Sequence, residues 1–161
     1  MAPSNFFEQL FNDQVDVTKL KVKRRGISNV RWEDFKSDIC KRIDVTHDWA
    51  GLNTKHFVAL YAVLHERVYK VSPIELNERG RIIVLAMSKT MFTRQFDCDS
   101  LKMSSFFLWV WNREYRLEQW REKKGIQGRR ISYGYQFSNY LLTEWRINGH
   151  RDFAEVKRAA L

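Results

Sequence analysis

Apolar residues recur at spacings of three and four through most of this chain, which is the periodicity of amphipathic α-helices. Only two prolines and seven glycines interrupt its 161 residues, so few positions would break such helices. The pattern predicts an all-α fold, a single compact bundle of five to seven helices with an N-terminal extended arm or short strand. We expect one domain over residues 1–161, with an N-terminal helix and basic arm (1–30) followed by a helical core (31–161).

The clearest predicted helix extends from about Asn53 to Val71, where one apolar stripe follows Asn53 or Thr54, both suited to cap a helix. The helix predicted over residues 81–96 is apolar on more than one face, so we expect it to be the most buried. Apolar and polar residues alternate between residues 15 and 30, which indicates an extended arm or one strand. The other predicted helices cover about residues 4–12, 31–44, 100–124, 132–147 and 152–160.

Two serines stand where helices are predicted to begin. The run Ser72-Pro73-Ile74-Glu75 combines a capping serine, a proline at the first helical position and a glutamate three residues after the cap. This pattern predicts a capping box and a short helix. Ser132 is expected to cap the last long helix, directly after a basic turn.

The charge is strongly positive and unevenly distributed. Of a formal net charge of +9, residues 113–161 contribute +5, with 11 basic and 6 acidic residues. An excess of this kind favours an anionic partner, although many basic proteins bind none. A second basic cluster lies at residues 19–25, between acidic neighbours.

The loop over residues 123–130 is the main candidate for phosphate contact. Gly125 and Gly128 let the backbone approach a ligand closely, and the predicted helix beginning at Ser132 would add a partial positive charge. The simpler interpretation is a solvated loop between two antiparallel helices. The four basic candidates in this loop are Lys123, Lys124, Arg129 and Arg130.

Aromatic residues are interleaved with these cations. An aromatic stripe at helical spacing is more often core than a surface for base stacking. Tyr133 and Tyr135 flank the basic loop, so we expect them to be exposed, to stack on bases or to donate hydrogen bonds to phosphates. If residues 19–25 form an arm, it would track a nucleic-acid backbone through Lys21, Lys23, Arg24 and Arg25.

Catalytic and metal signatures are weak in this sequence. The histidines show no HExxH spacing, no phosphate loop is present, and we predict no catalytic residue, metal ligand or cofactor. A minor alternative is a metal-dependent nuclease that would combine Asp97, Asp99 and Glu122 with the adjacent lysines. The two cysteines have no CxxC spacing, and neither a secretory signal nor a membrane-spanning run is apparent. We therefore expect an intracellular, reducing setting and no membrane partner.

The charge and aromatic pattern favours a small non-enzymatic nucleic-acid-binding protein with an accessory or regulatory role in DNA or RNA processing. The alternative is a protein-interaction module, an adaptor or inhibitor, whose aromatic and arginine surface binds an acidic protein or a second copy of itself. Trp, Tyr and Arg are enriched at both kinds of surface, so composition does not separate the two.

Overall fold

The computed structural model describes residues 27–149, which form five α-helices and contain no β-strand. The predicted all-α class is thus confirmed for this part of the chain. The predicted helices over 4–12 and 152–160 and the basic arm lie outside the described residues, and α1 already begins at Asn29. The helices are α1 (Asn29–Lys41), α2 (Thr54–Tyr69), α3 (Glu78–Phe96), α4 (Ser100–Lys124) and α5 (Asn139–Glu144).

Helix α2 lies at the centre of the bundle, in contact with α1, α3 and α4. Every residue from Phe57 to His65 is buried, so α2 is covered on all sides. In α3, by contrast, buried residues such as Val84 and Met91 alternate with half-buried ones. The prediction that the 81–96 helix is the most buried is therefore wrong, because its apolar residues are shared between the core and a partly open face.

The helix starts follow local capping rules. The side chain of Asn53 accepts hydrogen bonds from the backbone N–H groups of Lys55 and His56, and the His56 ring accepts one from the backbone N–H of Asn53. Asp99 caps α4 by accepting hydrogen bonds from the backbone N–H groups two and three residues further along the chain, at 3.0 and 3.2 Å. These side chains satisfy amides that have no partner within their helices.

The capping box predicted at Ser72-Pro73-Ile74-Glu75 is wrong. Only a 3-10 turn forms at Ile74–Leu76, and the Ser72 hydroxyl donates to Glu66 instead. The Glu75 carboxylate accepts hydrogen bonds from the hydroxyl of Tyr61 and from the backbone N–H of Tyr133, the latter at 3.1 Å. A buried hydroxyl and a buried amide need an acceptor more than an N-terminal amide near solvent does.

The last helix begins later than predicted. Ser132 accepts from the N–H of Tyr135 at 3.1 Å and closes a turn that leads into a 3-10 turn at Tyr135–Phe137. Helix α5 is capped by Ser138 and continues into a π-helical turn at Trp145–Gly149. Tyr133, Phe137 and Leu141 are all buried, although only Leu141 lies in an α-helix. Their spacing of four therefore does not come from a single helix, because the three residues enter the same core from different local structures.

Two further features bear on the setting of the protein. Within residues 27–149, no helix combines the length and the apolar character needed to cross a bilayer. Cys40 and Cys98 are both free thiols. The compartment itself stays a prediction from sequence.

Candidate nucleic-acid interface

A groove lies between the C-terminal half of α4 and the segment that leads from the basic loop to α5. Its volume is about 510 Å³. Besides apolar side chains, Glu114 and Ser132, the groove is lined by arginines from both walls and by two tyrosines. We call it the arginine–tyrosine groove, after Arg113, Arg121, Arg129, Arg130, Tyr135 and Tyr140.

Arg121 joins α4 to the basic loop. Its guanidinium donates to the carboxylates of Glu114 and Glu118 at 3.0 and 3.1 Å. A Cβ added to Gly128 would lie 2.3 to 2.5 Å from the end of the Arg121 side chain, so a larger residue there would require this side chain to move. With two carboxylates beside it, Arg121 serves the fold and adds little free positive charge to the groove.

The segment after the loop is held by buried hydroxyl groups of α2. The hydroxyl of Tyr69 donates to Glu114 at 2.8 Å and accepts from the N–H of Ile131 at 2.9 Å. The Tyr61 hydroxyl, which donates its proton to Glu75, also lies 3.1 Å from the carbonyl oxygen of Ile131. Burial, reinforced by the Glu114 carboxylate, raises the pKa of Tyr69 well above its ordinary value of 10.0, so this hydroxyl stays a neutral donor. The wall of the groove at Ile131 is therefore held through its backbone N–H group.

Lys123 and Lys124 lie exposed in the last turn of α4. The helix ends at Gly125, whose φ of 67° is left-handed, and the N–H of Ile126 closes the motif on the carbonyl of Arg121 at 2.9 Å. The loop thus begins at the negative end of a helix dipole, which nearby cations stabilise.

The expected contribution from a helix N-terminus at Ser132 is absent, and that prediction is wrong. The backbone around Ser132 is not helical, and α5 begins only at Asn139. Any anion bound at the basic loop would therefore depend on side chains rather than on a helix dipole.

Arg129 and Arg130 are exposed and line the groove, as a phosphate-binding role requires. Among the described residues, no carboxylate forms an ion pair with either of them. The Arg130 guanidinium lies 6.0 Å from the centroid of the Tyr69 ring. Sequence reasoning missed Arg113, which stacks over the Trp109 ring at 4.6 Å on the opposite wall. Its spacing of eight from Arg121, two turns of one helix face, could have indicated it.

The two predicted tyrosines differ in their exposure to solvent. Tyr135 is 55% exposed in the groove, whereas Tyr133 is 1% exposed and packs against Tyr61 at 5.1 Å between ring centroids. The prediction of an exposed Tyr133 is wrong, because its ring fills the core beside the turn that carries Tyr135. Tyr140, which the sequence did not indicate as a site residue, is 61% exposed and lines the groove. No local pattern distinguishes it from its buried neighbours.

Two of the carboxylates considered for a nuclease lie at helix ends. Asp99 caps α4, and Asp97 lies in the left-handed conformation at the end of α3. In the part of the chain that the structure describes, no three His, Cys, Asp or Glu side chains gather as a metal site would require. The cluster of Lys21, Lys23, Arg24 and Arg25 lies outside that part.

The fold and the groove together define a helical protein with a basic, aromatic surface cleft. No protein-family model matches the sequence, and neither a curated protein nor a solved structure shows significant similarity to it. The functional argument consequently depends on the geometry and charge of the chain itself.

Proposed function

We propose that this protein is a small, non-enzymatic nucleic-acid-binding protein with an accessory or regulatory role in DNA or RNA processing. The observation that carries the proposal is the arginine–tyrosine groove. There, Arg113, Arg129 and Arg130 lie beside the exposed rings of Tyr135 and Tyr140. Phosphate-binding cations and base-stacking rings in one cleft are the combination that nucleic acids require.

The local charge supports this proposal. All residues from Glu122 to Arg130 are exposed, and they include four basic residues and one acidic residue. A polyanion that binds here releases its condensed counterions, which is the main source of non-specific affinity. Lys123 and Lys124 stabilise the C-terminal end of α4, but their side chains are exposed. They can therefore also bind phosphates.

Arginine is also the better residue for such a groove. A guanidinium binds a phosphate through two parallel hydrogen bonds and stacks on flat rings, whereas an ammonium acts as a point charge. Three arginines without a carboxylate partner among residues 27–149 line this groove, Arg113, Arg129 and Arg130.

The test is a fluorescence-polarisation titration with mixed-sequence DNA and RNA, single-stranded and duplex, over a range of salt concentrations. The wild-type affinity should fall with a slope of about −0.7 per phosphate contact on single strands and about −0.9 on duplex DNA. Replacing Lys123, Lys124, Arg129 and Arg130 together with Ala should make that slope shallower by about two to four units.

A matched control removes the same charge elsewhere. Lys41, Arg79, Lys89 and Arg94 are exposed, lie outside the groove and form no ion pair within the described residues. Their combined replacement with Ala should reduce affinity much less. Equal binding by the loop variant and the control variant would contradict the proposal, provided that circular dichroism shows both to be folded.

A second candidate function is a protein-interaction module. Leu117, Trp120 and Ile126 are each about half exposed on the same end of the molecule. Exposed tryptophan and arginine are the residues enriched at protein-binding hot spots. This alternative predicts self-association that Trp120→Gln weakens, measured by light scattering over a concentration series, with nucleic-acid binding absent or unrelated to it.

A further inference from the structure

We propose that the arginine–tyrosine groove is specific for single strands, with unpaired bases stacking on Tyr135 and Tyr140 while Arg113, Arg129 and Arg130 bind the phosphates. This inference rests on the proposed function and adds the strand form and the residues that recognise it.

The two tyrosine rings are available for stacking. Tyr135 is 55% and Tyr140 61% exposed, although both line a recessed cleft. Among residues 27–149, nothing forms a hydrogen bond with either hydroxyl group. Large aromatic side chains in a helical bundle are normally buried, as Tyr61, Tyr69 and Tyr133 are here. These two rings, by contrast, are not part of the hydrophobic core.

Both rings project from backbone that is held in place. The N–H of Tyr135 donates to the Ser132 hydroxyl at 3.1 Å, and its carbonyl accepts from the N–H of Ser138 at 2.9 Å. Ser138 in turn caps α5, in whose first turn Tyr140 lies. Ile131 and Phe137 anchor the same segment in the core. A ligand that stacks on these rings has little backbone to order, which lowers the entropic cost of binding.

The chemistry of the groove selects the strand form. In a duplex each base is stacked between its neighbours, so a ring on the protein surface has access to base faces only in an unpaired strand. The exposed end of α4 also carries Glu118 and Glu122 among its basic residues. This mixture of charges does not suit a helix that enters the major groove of a duplex. Recognition by stacking is tolerant of sequence, because every base has an aromatic face.

The experiment compares four labelled probes of equal length: single-stranded DNA, single-stranded RNA, duplex DNA and an abasic deoxyribose-phosphate strand. The abasic strand keeps the phosphates and lacks the bases. Wild-type protein should bind the two base-bearing single strands more tightly than either the duplex or the abasic strand.

The variant Tyr135→Leu/Tyr140→Leu keeps apolar bulk and removes both rings. We expect it to lose about 5- to 100-fold in single-strand affinity for each ring that stacks. Its salt slope should not change, because no charge is removed. The variant Tyr135→Phe/Tyr140→Phe keeps the aromatic faces and should restore binding. Trp120→Leu is the matched control, since Trp120 is 52% exposed and lies outside the groove.

The two proposals fail in different ways. If the Leu variant keeps its single-strand affinity, or if wild type binds the abasic strand equally well, the stacking inference is overturned while salt-dependent phosphate binding stands. If wild type binds none of the probes at low salt, the proposed function itself fails.

Discussion

The two halves of helix α4 have opposite surroundings, and the second half also carries far more charged residues than the first. Every residue from Met103 to Asn112 is buried, including Trp109 and Trp111, whereas most residues beyond Tyr115 are exposed. Both halves contain aromatic residues and both follow one uninterrupted helix. Aromatic content alone therefore does not separate core from binding surface. The difference lies in what the rest of the chain places against each half.

The buried half is covered by α2 and by the segment around residues 133–137. Trp111 lies 5.7 Å from both Tyr61 and Tyr69, centroid to centroid, and its indole N–H donates to Gln136 at 3.1 Å. In the exposed half, the ion pairs of Arg121 with Glu114 and Glu118 lie within α4 itself. Because few side chains of this half are buried in the core, they are available to line the groove.

The largest expected effect contrasts the two halves directly. Trp111→Ala removes a fully buried indole and should lower the free energy of unfolding by roughly 3 to 5 kcal/mol. Trp120→Ala, at a half-exposed position, should change it by less than about 0.5 kcal/mol. Urea denaturation followed by circular dichroism measures both, and similar losses would contradict the contrast.

The next effect tests the boundary between the halves. Glu114 is 3% exposed and accepts from both Tyr69 and Arg121. Glu114→Ala leaves the buried Tyr69 hydroxyl without its acceptor and Arg121 with Glu118 alone, and should cost roughly 3 kcal/mol. Glu118→Ala, which removes only the outer partner of Arg121, should cost well under about 1 kcal/mol. A small loss for Glu114→Ala would mean that the buried hydrogen bond between Tyr69 and Glu114 adds little to stability.

A pH titration probes the buried half without a large substitution. Burial lowers the pKa of His65, which lies 6.0 Å from Trp111 between ring centroids, below its ordinary value of 6.5. Burial likewise lowers the pKa of His56. The unfolded chain then takes up protons that the folded protein resists, so stability should fall as pH drops below about 6.5, by at most about 1.4 kcal/mol per pH unit for each group.

Denaturation at pH 7.5 and 5.5 measures this dependence. His65→Gln keeps a donor for the carbonyl of Val71, which the His65 ring contacts at 2.8 Å. The variant should show a weaker loss of stability at the lower pH. An unchanged loss would assign the effect to His56 or to other groups.

The smallest effect tests the end of the exposed half. Gly125 has a φ of 67°, where a Cβ is unfavourable, so Gly125→Ala should cost about 1 kcal/mol. Gly125→Asn should cost less, because asparagine tolerates this conformation. Thermal unfolding of the two variants gives the comparison, and equal melting temperatures would argue that the loop relaxes around either residue.

The parts of the fold that were predicted well are those that local interactions decide. Helix α4 spans the predicted residues because Asp99 caps its start and Gly125 ends it, both within one turn of the boundary. Asn53 likewise marks the start of α2. At Ser72 the same local signals failed because the distant Tyr61 hydroxyl took the Glu75 carboxylate, and at Ser132 the serine closes a turn instead of capping an α-helix.

The candidate site was predicted less completely. The cations at 123–130 follow from sequence alone, but the groove depends on which neighbours are buried. Tyr133, Tyr135 and Tyr140 look alike along the chain, and only the packing of the turn around residue 134 separates the buried ring from the two exposed ones. Arg113 joins Arg129 and Arg130 only because α4 and the returning segment form facing walls.

The sequence by itself determined the helical class, the main helix boundaries and the position of the positive charge, since periodicity, capping and composition act over a few residues. The tertiary structure decided that Tyr69 holds Ile131, 62 residues away, and thereby placed arginines and tyrosines in one groove. Such contacts depend on burial and hydrogen bonding between distant segments. No local pattern in the chain encodes them.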